Sequence, residues 1–541
     1  MNVTNAMFHL DAAARSIPEP TFPPDALNDH IPAILRATRP FLDTDRDWII
    51  PNIDDLRQQV SVYDTLLDRI DEIRSEVQSR RDAVHKAMVV YSSALAPVRR
   101  LPVDVLRTVF REIQLSEWRT TSWLPLPQAL DFSQGPWTLS HVCGAWRDVV
   151  LSYPQLWSHI VLRFRSTLSV INPLAEVYSP PRHILVALQA MILRSEQCPL
   201  DIVFELRFDH EKDMAKTVFA MILEVSHRWR TLELRISLDL LERLKVVHGK
   251  IPCLQSLTLH TLDASQTGRS ELPEDIRSLF ADAPRLQNIT LPGTYGLGDF
   301  IFPLHITHLA APVENVSNLG VYQSLVECHL EIAHRPSTNP DISLPLHIFL
   351  PNVRRLFVSS LRMLARLCLP SLNDLAFIRG VADATIRRSV QVVNDFLRRS
   401  RCSLTRLASG CPNGGNQILV HDSLLFMDTV VCLEVDVFWD NEDIFNALAS
   451  DKFLPNLQHL RLFGFMMSPS QDLLTAMIMS RRRHLRSVKV SCSNPADVES
   501  VNQQLAPIQQ PGQHFIAALH EQDDRIWQFG NFNRSDFECC G

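Results

Sequence analysis

Apolar residues in this chain recur with two different periods, and the change from one to the other divides the sequence. Leu56, Val60, Tyr63, Leu67, Ile70, Val77, Val84, Met88, Tyr91 and Leu95 follow steps of three and four. This spacing predicts one long amphipathic helix over residues 51–97, ended by Pro97. The same register sets Arg74 and Arg81 in the apolar seam. A charge there is costly in a two-stranded coiled coil. The first expectation is therefore a helix that lays its stripe on the next domain while both arginine heads reach water, and a self-pairing zipper is the second. Upstream, Pro18, Pro20, Pro23, Pro24, Pro32 and Pro40 punctuate residues 1–50, which read as an irregular tail.

Past Pro97 comes LPVDVLRTVFREI, where Pro102 suits a first helical turn and Val105, Leu106, Val109, Phe110 and Ile113 share one side. The stretch from Gln114 to Pro136, with Pro125, Pro127 and Gly135, loses that period and reads as a loop insertion. Leu139, Val142, Cys143, Trp146, Val149 and Val150 then mark a second helix, closed by Tyr153-Pro154. A small all-helical unit over 98–160 follows from this.

Beyond it the pattern becomes L-x-x-L-x-L or an apolar equivalent. Good copies are Trp229/Leu232/Leu234, Leu254/Leu257/Leu259, Leu286/Ile289/Leu291, Val353/Leu356/Val358, Leu372/Leu375/Phe377, Val430/Leu433/Val435, Leu457/Leu460/Leu462 and Leu485/Val488/Val490; weaker ones start at Ile306, Leu325 and Leu404. Most of the spacings fit leucine-rich repeats of about 20–29 residues, each supplying a strand and a returning helix or loop. Several units open with proline, as in Pro351-Asn352-Val353 and Pro455-Asn456-Leu457, where the missing amide need not join a ladder. Helical stretches such as Ser389 to Arg399 lie between strands. The predicted fold class is thus α+α/β: a long helix, a small helical unit, and an irregular solenoid over 161–495 with a curved parallel sheet, followed by a cap or tail over 496–541.

Composition narrows the function. The 541 residues carry 60 acidic and 53 basic side chains, a net charge of -7, which argues against an electrostatic nucleic-acid binder. Only 16 glycines occur, so glycine-rich phosphate cradles are not expected, and Gly293, Gly296 and Gly298 read as a turn. No run is long and apolar enough for a membrane span or a signal peptide, and the eleven cysteines form no CxxC pair; a cytoplasmic or nuclear protein is expected. No P-loop, nucleophile-elbow or zincin motif occurs, and His305 and His308 lack a ligand partner nearby. No catalytic residue, metal or cofactor is expected. Arg398-Arg399-Ser400-Arg401 and Arg481-Arg482-Arg483-His484 read as basic ends of repeat helices that complement the helix dipole.

The pairing of LPVDVLRTVFREI with VCGAWRDVVLSYPQLWSHI resembles the F-box family, in particular fungal members with a long helix before the box and irregular leucine-rich repeats after it. Leu101-Pro102 and Asp104 match the opening LP-x-[ED], Val105-Leu106 and Phe110 its apolar helix, and Val142-Cys143 with Trp146-Arg147 the closing VC-x-x-W-R. Cys198-Pro199-Leu200-Asp201 and His227-Arg228-Trp229 are similar to segments such proteins carry between box and repeats. The resemblance covers roughly residues 56–490. The segment from Gln114 to Trp137 departs from it, being longer than in a compact box.

The resemblance implies a noncatalytic substrate-recognition subunit of an SCF-type ubiquitin ligase. Leu101, Pro102, Val105, Leu106, Phe110, Val142, Cys143 and Trp146 would bind the Skp-family adaptor and, through it, the cullin-RING subunits. Among the box residues, Leu106, Val109, Val142 and Trp146 are expected inside, and Leu101, Pro102 and Val105 at the interface. A protein target would meet the concave sheet surface at Glu233, Arg235, His260, Phe357, Glu434, Asp436, Arg461, Phe463 and Lys489, a mixture of charges and exposed aromatics suited to a protein or peptide. The alternative is a repeat scaffold not coupled to ubiquitination.

Overall fold

A computed structural model describes residues 3–23, 30–36, 38–120, 135–164, 183–206, 212–261, 272–293, 295–314, 316–332, 347–378, 386–410, 428–437, 442–450, 452–465, 470–492 and 494–519. The chain divides into two compact units, Met1–Pro102 and Val103–Gly541. The division falls inside the predicted 98–160 unit, so Leu101 and Pro102 go with the first.

The first unit is helical. Helices α1 (Val3–Arg15) and α2 (His30–Leu35) precede α3 (Asp43–Ala94), which has 52 residues and is about 78 Å long. The tail expected to be irregular is thus partly helical: the prolines begin only at Pro18, and residues 3–15 are free of them. The long helix also starts before the predicted position, with Pro51 inside it and Asp45 accepting from the Leu42 amide at 2.9 Å. The N-terminal segment lies along α3 through Thr21, whose amide donates to Gln59 Oε1 at 3.0 Å, and through Pro18, whose carbonyl accepts from the Tyr63 hydroxyl at 2.6 Å.

The second unit begins with α4 (Val103–Thr120), α5 (Gly135–Val142) and α6 (Gly144–Leu151). Helix α4 runs on into the predicted insertion, and residues 121–134 of that insertion lie outside the described residues. The strands are β1 (His159–Phe164), β2 (Leu200–Leu206), β3 (Trp229–Ile236), β4 (Ser256–Thr261), β5 (Asn288–Thr290), β6 (His308–Val313), β7 (Glu327–Ile332), β8 (Ile348–Phe349), β9 (Arg355–Val358), β10 (Leu367–Cys368), β11 (Asp374–Ile378), β12 (Arg406–Gly410), β13 (Cys432–Asp436), β14 (His459–Phe465), β15 (Ser487–Cys492) and β16 (His514–Leu519). Fourteen of them form one sheet in chain order, while β8 and β10 pair separately. All the described pairings are parallel, the arrangement of a repeat-like solenoid. Helices including α7 (Ile184–Arg194), α8 (Lys212–Glu224), α9 (Leu238–Arg243), α10 (Glu274–Arg277), α11 (Ile386–Ser400), α12 (Glu442–Ala449), α13 (Ser470–Ser480) and α14 (Pro495–Leu505) fall between strands.

Each of the eleven predicted repeat starts leads into one strand, from β3 to β15. Strands β1, β2 and β16 extend the sheet beyond the repeats read from the sequence, and residues 520–541 of the predicted tail lie outside the described residues. The leucine register explains the stacking: Ile160, Ile202, Leu232, Leu257, Ile289 and Leu309 align strand by strand and are buried. The same row continues through Cys328, Leu356, Leu375, Leu407, Leu433, Leu460, Val488 and Phe515. The glycine cluster has a packing reason at Gly296, where a Cβ would stand 2.3 Å from the Pro312 carbonyl oxygen.

Polar side chains lock successive units. Arg228 donates to the Cys198 carbonyl from Nε at 3.0 Å and to Ser195 Oγ from Nη2 at 2.7 Å, just past the end of α7. Arg399 donates to the carbonyls of Leu367 at 2.9 Å and Leu364 at 2.7 Å, at the end of the 3-10 turn Leu361–Arg366. Arg481, itself buried, donates to the carbonyls of Leu448, Ser450, Phe453 and Leu454 around and beyond the end of α12. The basic clusters therefore do more than end their own helices: Arg399 and Arg481 each satisfy the unpaired carbonyls of the unit before. Asn352 and Asn456, in the Pro-Asn openings, donate from Nδ2 to the carbonyls of Gln323 at 3.0 Å and Asp428 at 2.7 Å.

Candidate functional site

The helical unit is built around α4. At 100° per residue, Val105, Val109 and Ile113 span one 80° arc of that helix, and Leu106, Phe110 and Gln114 span the adjoining one. The second arc is buried: Phe110 is 0% exposed and meets the Trp146 ring at 4.7 Å between centroids. Gln114 Nε2 donates to the Leu156 carbonyl at 2.9 Å, a satisfied polar contact inside the core. Leu139 of α5, Val149 and Val150 of α6, and Leu156 and Trp157 of the 3-10 turn Pro154–Trp157 complete it. Trp157 Nε1 donates to the Val150 carbonyl at 3.0 Å.

The first arc stays in solvent. Val105, Val109 and Ile113 are each more than a third exposed, and Val142, where α5 meets α6, is 54% exposed. This corrects two expectations: Val109 and Val142 were expected inside, yet a unit of three short helices buries only half of a stripe this wide. Leu106 is buried as expected, and Trp146 is half-buried against Phe110. Phe110 and Leu106 are core, so they hold the exposed arc in place from behind. Val105 is exposed, Cys143 half-buried; in the first unit Leu101 is half-buried and Pro102 exposed.

Two residues not singled out from the sequence join this unit to the sheet. Trp137 of α5 packs edge-on against Trp157 at 4.9 Å, and the Arg194 guanidinium at the end of α7 lies 5.1 Å and 4.4 Å from their ring centroids. Such cation-π contacts contribute about 0.5–2 kcal/mol each. Arg194 carried no sequence signal, because its partners are 37 and 57 positions away. The chain runs from Trp157 through Ser158 straight into β1.

On the sheet, the face opposite the leucine row holds all nine predicted target residues. One row runs Glu233–Thr258–Thr290–Ala310–His329–Phe357–Ala376–Ala408–Glu434–Arg461–Lys489 across neighbouring strands. Arg235 and His260 pair in the next row, as do Asp436 and Phe463. Their exposure differs from expectation. Phe357 is buried with Ala376 and Ala408 and packs on His329 at 5.3 Å, and Glu434 is also buried. The other seven are half-buried.

A row nearer the strand starts carries alternating charge: Arg355 lies 3.4 Å from Glu327 and 3.5 Å from Asp374, and Arg406 lies 3.3 Å from Asp374. At its far end His159 stands 3.0 Å from Asp201, which also accepts from Arg230 Nε at 2.9 Å. The two aspartates titrate in opposite directions. Burial works to raise the pKa of Asp201, but hydrogen bonds from His159 and Arg230 outweigh it and hold the pKa below the usual carboxylate range. Burial dominates at Asp374 and raises its pKa despite Arg406 and Arg355.

The signs follow from proton linkage. Stability from Asp201 is present above the unfolded carboxylate pKa of about 3.9 and is lost as pH falls toward its folded value. At Asp374 the folded state binds the proton more tightly, so stability declines as pH rises from about 3.9 through its folded pKa. Asp201→Asn is therefore expected to cost about 2 kcal/mol at neutral pH and to flatten the acid limb of stability, with Asp374→Asn costing distinctly less. Urea unfolding across a pH series checks this; equal losses for the two variants would contradict it.

No protein-family model matches the chain, and no curated protein matches it. Among solved structures, a crystal structure of a Bacteroides fragilis protein is similar at 12% identity and a TM-score of 0.30, covering 57% of this chain and 84% of that one. Among the described residues, no helix is long and apolar enough to cross a membrane.

Proposed function

We propose that this chain is a noncatalytic substrate-recognition subunit of an SCF-type ubiquitin ligase, whose F-box docks the Skp-family adaptor and whose repeat sheet holds a protein target. The observation that carries the reading is the Val105/Val109/Ile113 stripe, left in solvent by a helical unit whose Phe110–Trp146 core is already closed. Exposed β-branched side chains on one helix face are a surface suited to a partner. Val105 and Val142 would belong to the contact face, and Leu106, Phe110 and Trp146 would set its shape. The chemistry of transfer would come from other subunits, with this chain raising the effective concentration of the target. The described cysteines are all free, in keeping with a cytoplasmic or nuclear setting.

Capture of purified Skp-family adaptor and cullin, supplied together, by the full chain tests the reading, with Val105→Glu/Val109→Glu and Leu101→Ala/Pro102→Ala variants alongside. The wild type is expected to retain adaptor and cullin, and the charged stripe to lose adaptor by tenfold or more, corresponding to about 1.4 kcal/mol or above. Adaptor capture without cullin would favour the repeat-scaffold reading. No capture by a folded wild-type chain would overturn the ligase assignment.

A further inference from the structure

The seam of α3 has no cover over its C-terminal two-thirds: every residue from Leu67 to Leu95 is exposed, and Val84 reaches 70%. Long helices in proteins owe most of their stability to packing of an apolar face. A strict three-four spacing is the repeat that meets another helix along its whole length. Independently of the ligase reading, we propose that this seam is a self-association interface, in which two copies of α3 pair antiparallel over residues 63–88.

The arginines select the direction. In a parallel, in-register pair, Arg74 would face Arg74 of the second copy and Arg81 would face Arg81, giving two like-charge layers a heptad apart. Reversing the second helix so that Tyr63 faces Met88 sets Leu67 opposite Val84, Ile70 opposite Arg81, and Arg74 opposite Val77. Each arginine then lies on an aliphatic side chain along which its stem can run. Asp71, next to Ile70, flanks the layer that receives Arg81 of the second copy, and symmetry repeats the pair. Both groups are exposed in the single chain, where Arg81 donates to Asp82 of its own helix from Nε at 3.0 Å and Nη2 at 2.8 Å, and the remaining guanidinium donors can meet Asp71 of the second copy in a charge-assisted contact. The register begins at Tyr63, where the N-terminal segment meets α3 through Pro18, and continues over the uncovered residues.

Sedimentation velocity of the full chain over a micromolar concentration series tests the proposal. The wild type is expected as a dimer, and Val77→Glu/Val84→Glu as a monomer with reduced helix content by circular dichroism, the paired seam being what supports α3. Asp71→Arg should weaken the dimer by about tenfold or more, and adding Arg81→Asp to it should restore the affinity, because these positions meet only in the antiparallel register. A wild-type monomer throughout the series would overturn the proposal, as would a dimer indifferent to Val77→Glu/Val84→Glu. Failure of the charge swap to restore pairing would overturn the antiparallel register.

Discussion

Arg481→Met is expected to destabilise the C-terminal repeats by about 3–5 kcal/mol, the range for removing one side of a buried charged contact. The guanidinium donates to four backbone carbonyls, those of Leu448, Ser450, Phe453 and Leu454, around and beyond the end of α12. Methionine replaces the aliphatic stem but not the guanidinium, so the loss combines the hydrogen bonds with the space the charged head filled. Carbonyls left buried without a donor cost about 1–3 kcal/mol each, and relaxation recovers part of that. Because repeats contact only their neighbours, the damage should stay local. Amide exchange is expected to accelerate in α12, α13 and the flanking β13 to β15, with β1 to β4 unchanged. Uniform acceleration along the whole sheet would contradict a repeat-to-repeat lock, and wild-type exchange would show the contact to be dispensable.

Phe110→Ala should cost about 3–5 kcal/mol, as for other fully buried aromatic truncations. Its ring is 0% exposed and meets the Trp146 ring at 4.7 Å, so the cavity opens between α4 and α6. Val105→Ala, on the exposed arc of the same helix, should change stability by less than about 0.5 kcal/mol. Chemical unfolding followed by tryptophan fluorescence, which samples Trp137, Trp146 and Trp157 in this unit, distinguishes the two. Comparable losses would mean that the exposed arc is packed after all.

These two residues also mark what the sequence could and could not reveal. The strands were legible because leucine at fixed positions is what a stacked parallel sheet needs on its inner side, and every one of the eleven starts opens or leads into a strand. Strand β2 was harder to see, since Asp201 and Glu205 interrupt its apolar run, yet both are buried among cations from neighbouring strands. Helix α1 was masked by prolines that begin only after it ends. The common face of the nine sheet residues followed from the alternation of strand side chains. The burial of Phe357 did not, because it depends on His329, Ala376 and Ala408 from three other strands. Val109 was assigned to the wrong side of α4 because periodicity gives the width of an apolar stripe but not how much of it a small unit can cover. Arg228, Arg399 and Arg481 pair with backbone carbonyls some 30 positions earlier, and a carbonyl carries no residue identity for sequence reading to find.

The chain-ordered sheet also works as a graduated ruler. Its fourteen strands lie side by side in chain order, and neighbouring strands stand about 4.8 Å apart. The helical unit is clamped beside the first graduation by Arg194 and the two tryptophans. A molecule gripped at Glu233 on β3 would sit about 10 Å along the scale, and one gripped at Lys489 on β15 roughly 60 Å along it. Gain or loss of a single repeat would therefore slide everything beyond it by one strand-width while leaving its grip unchanged.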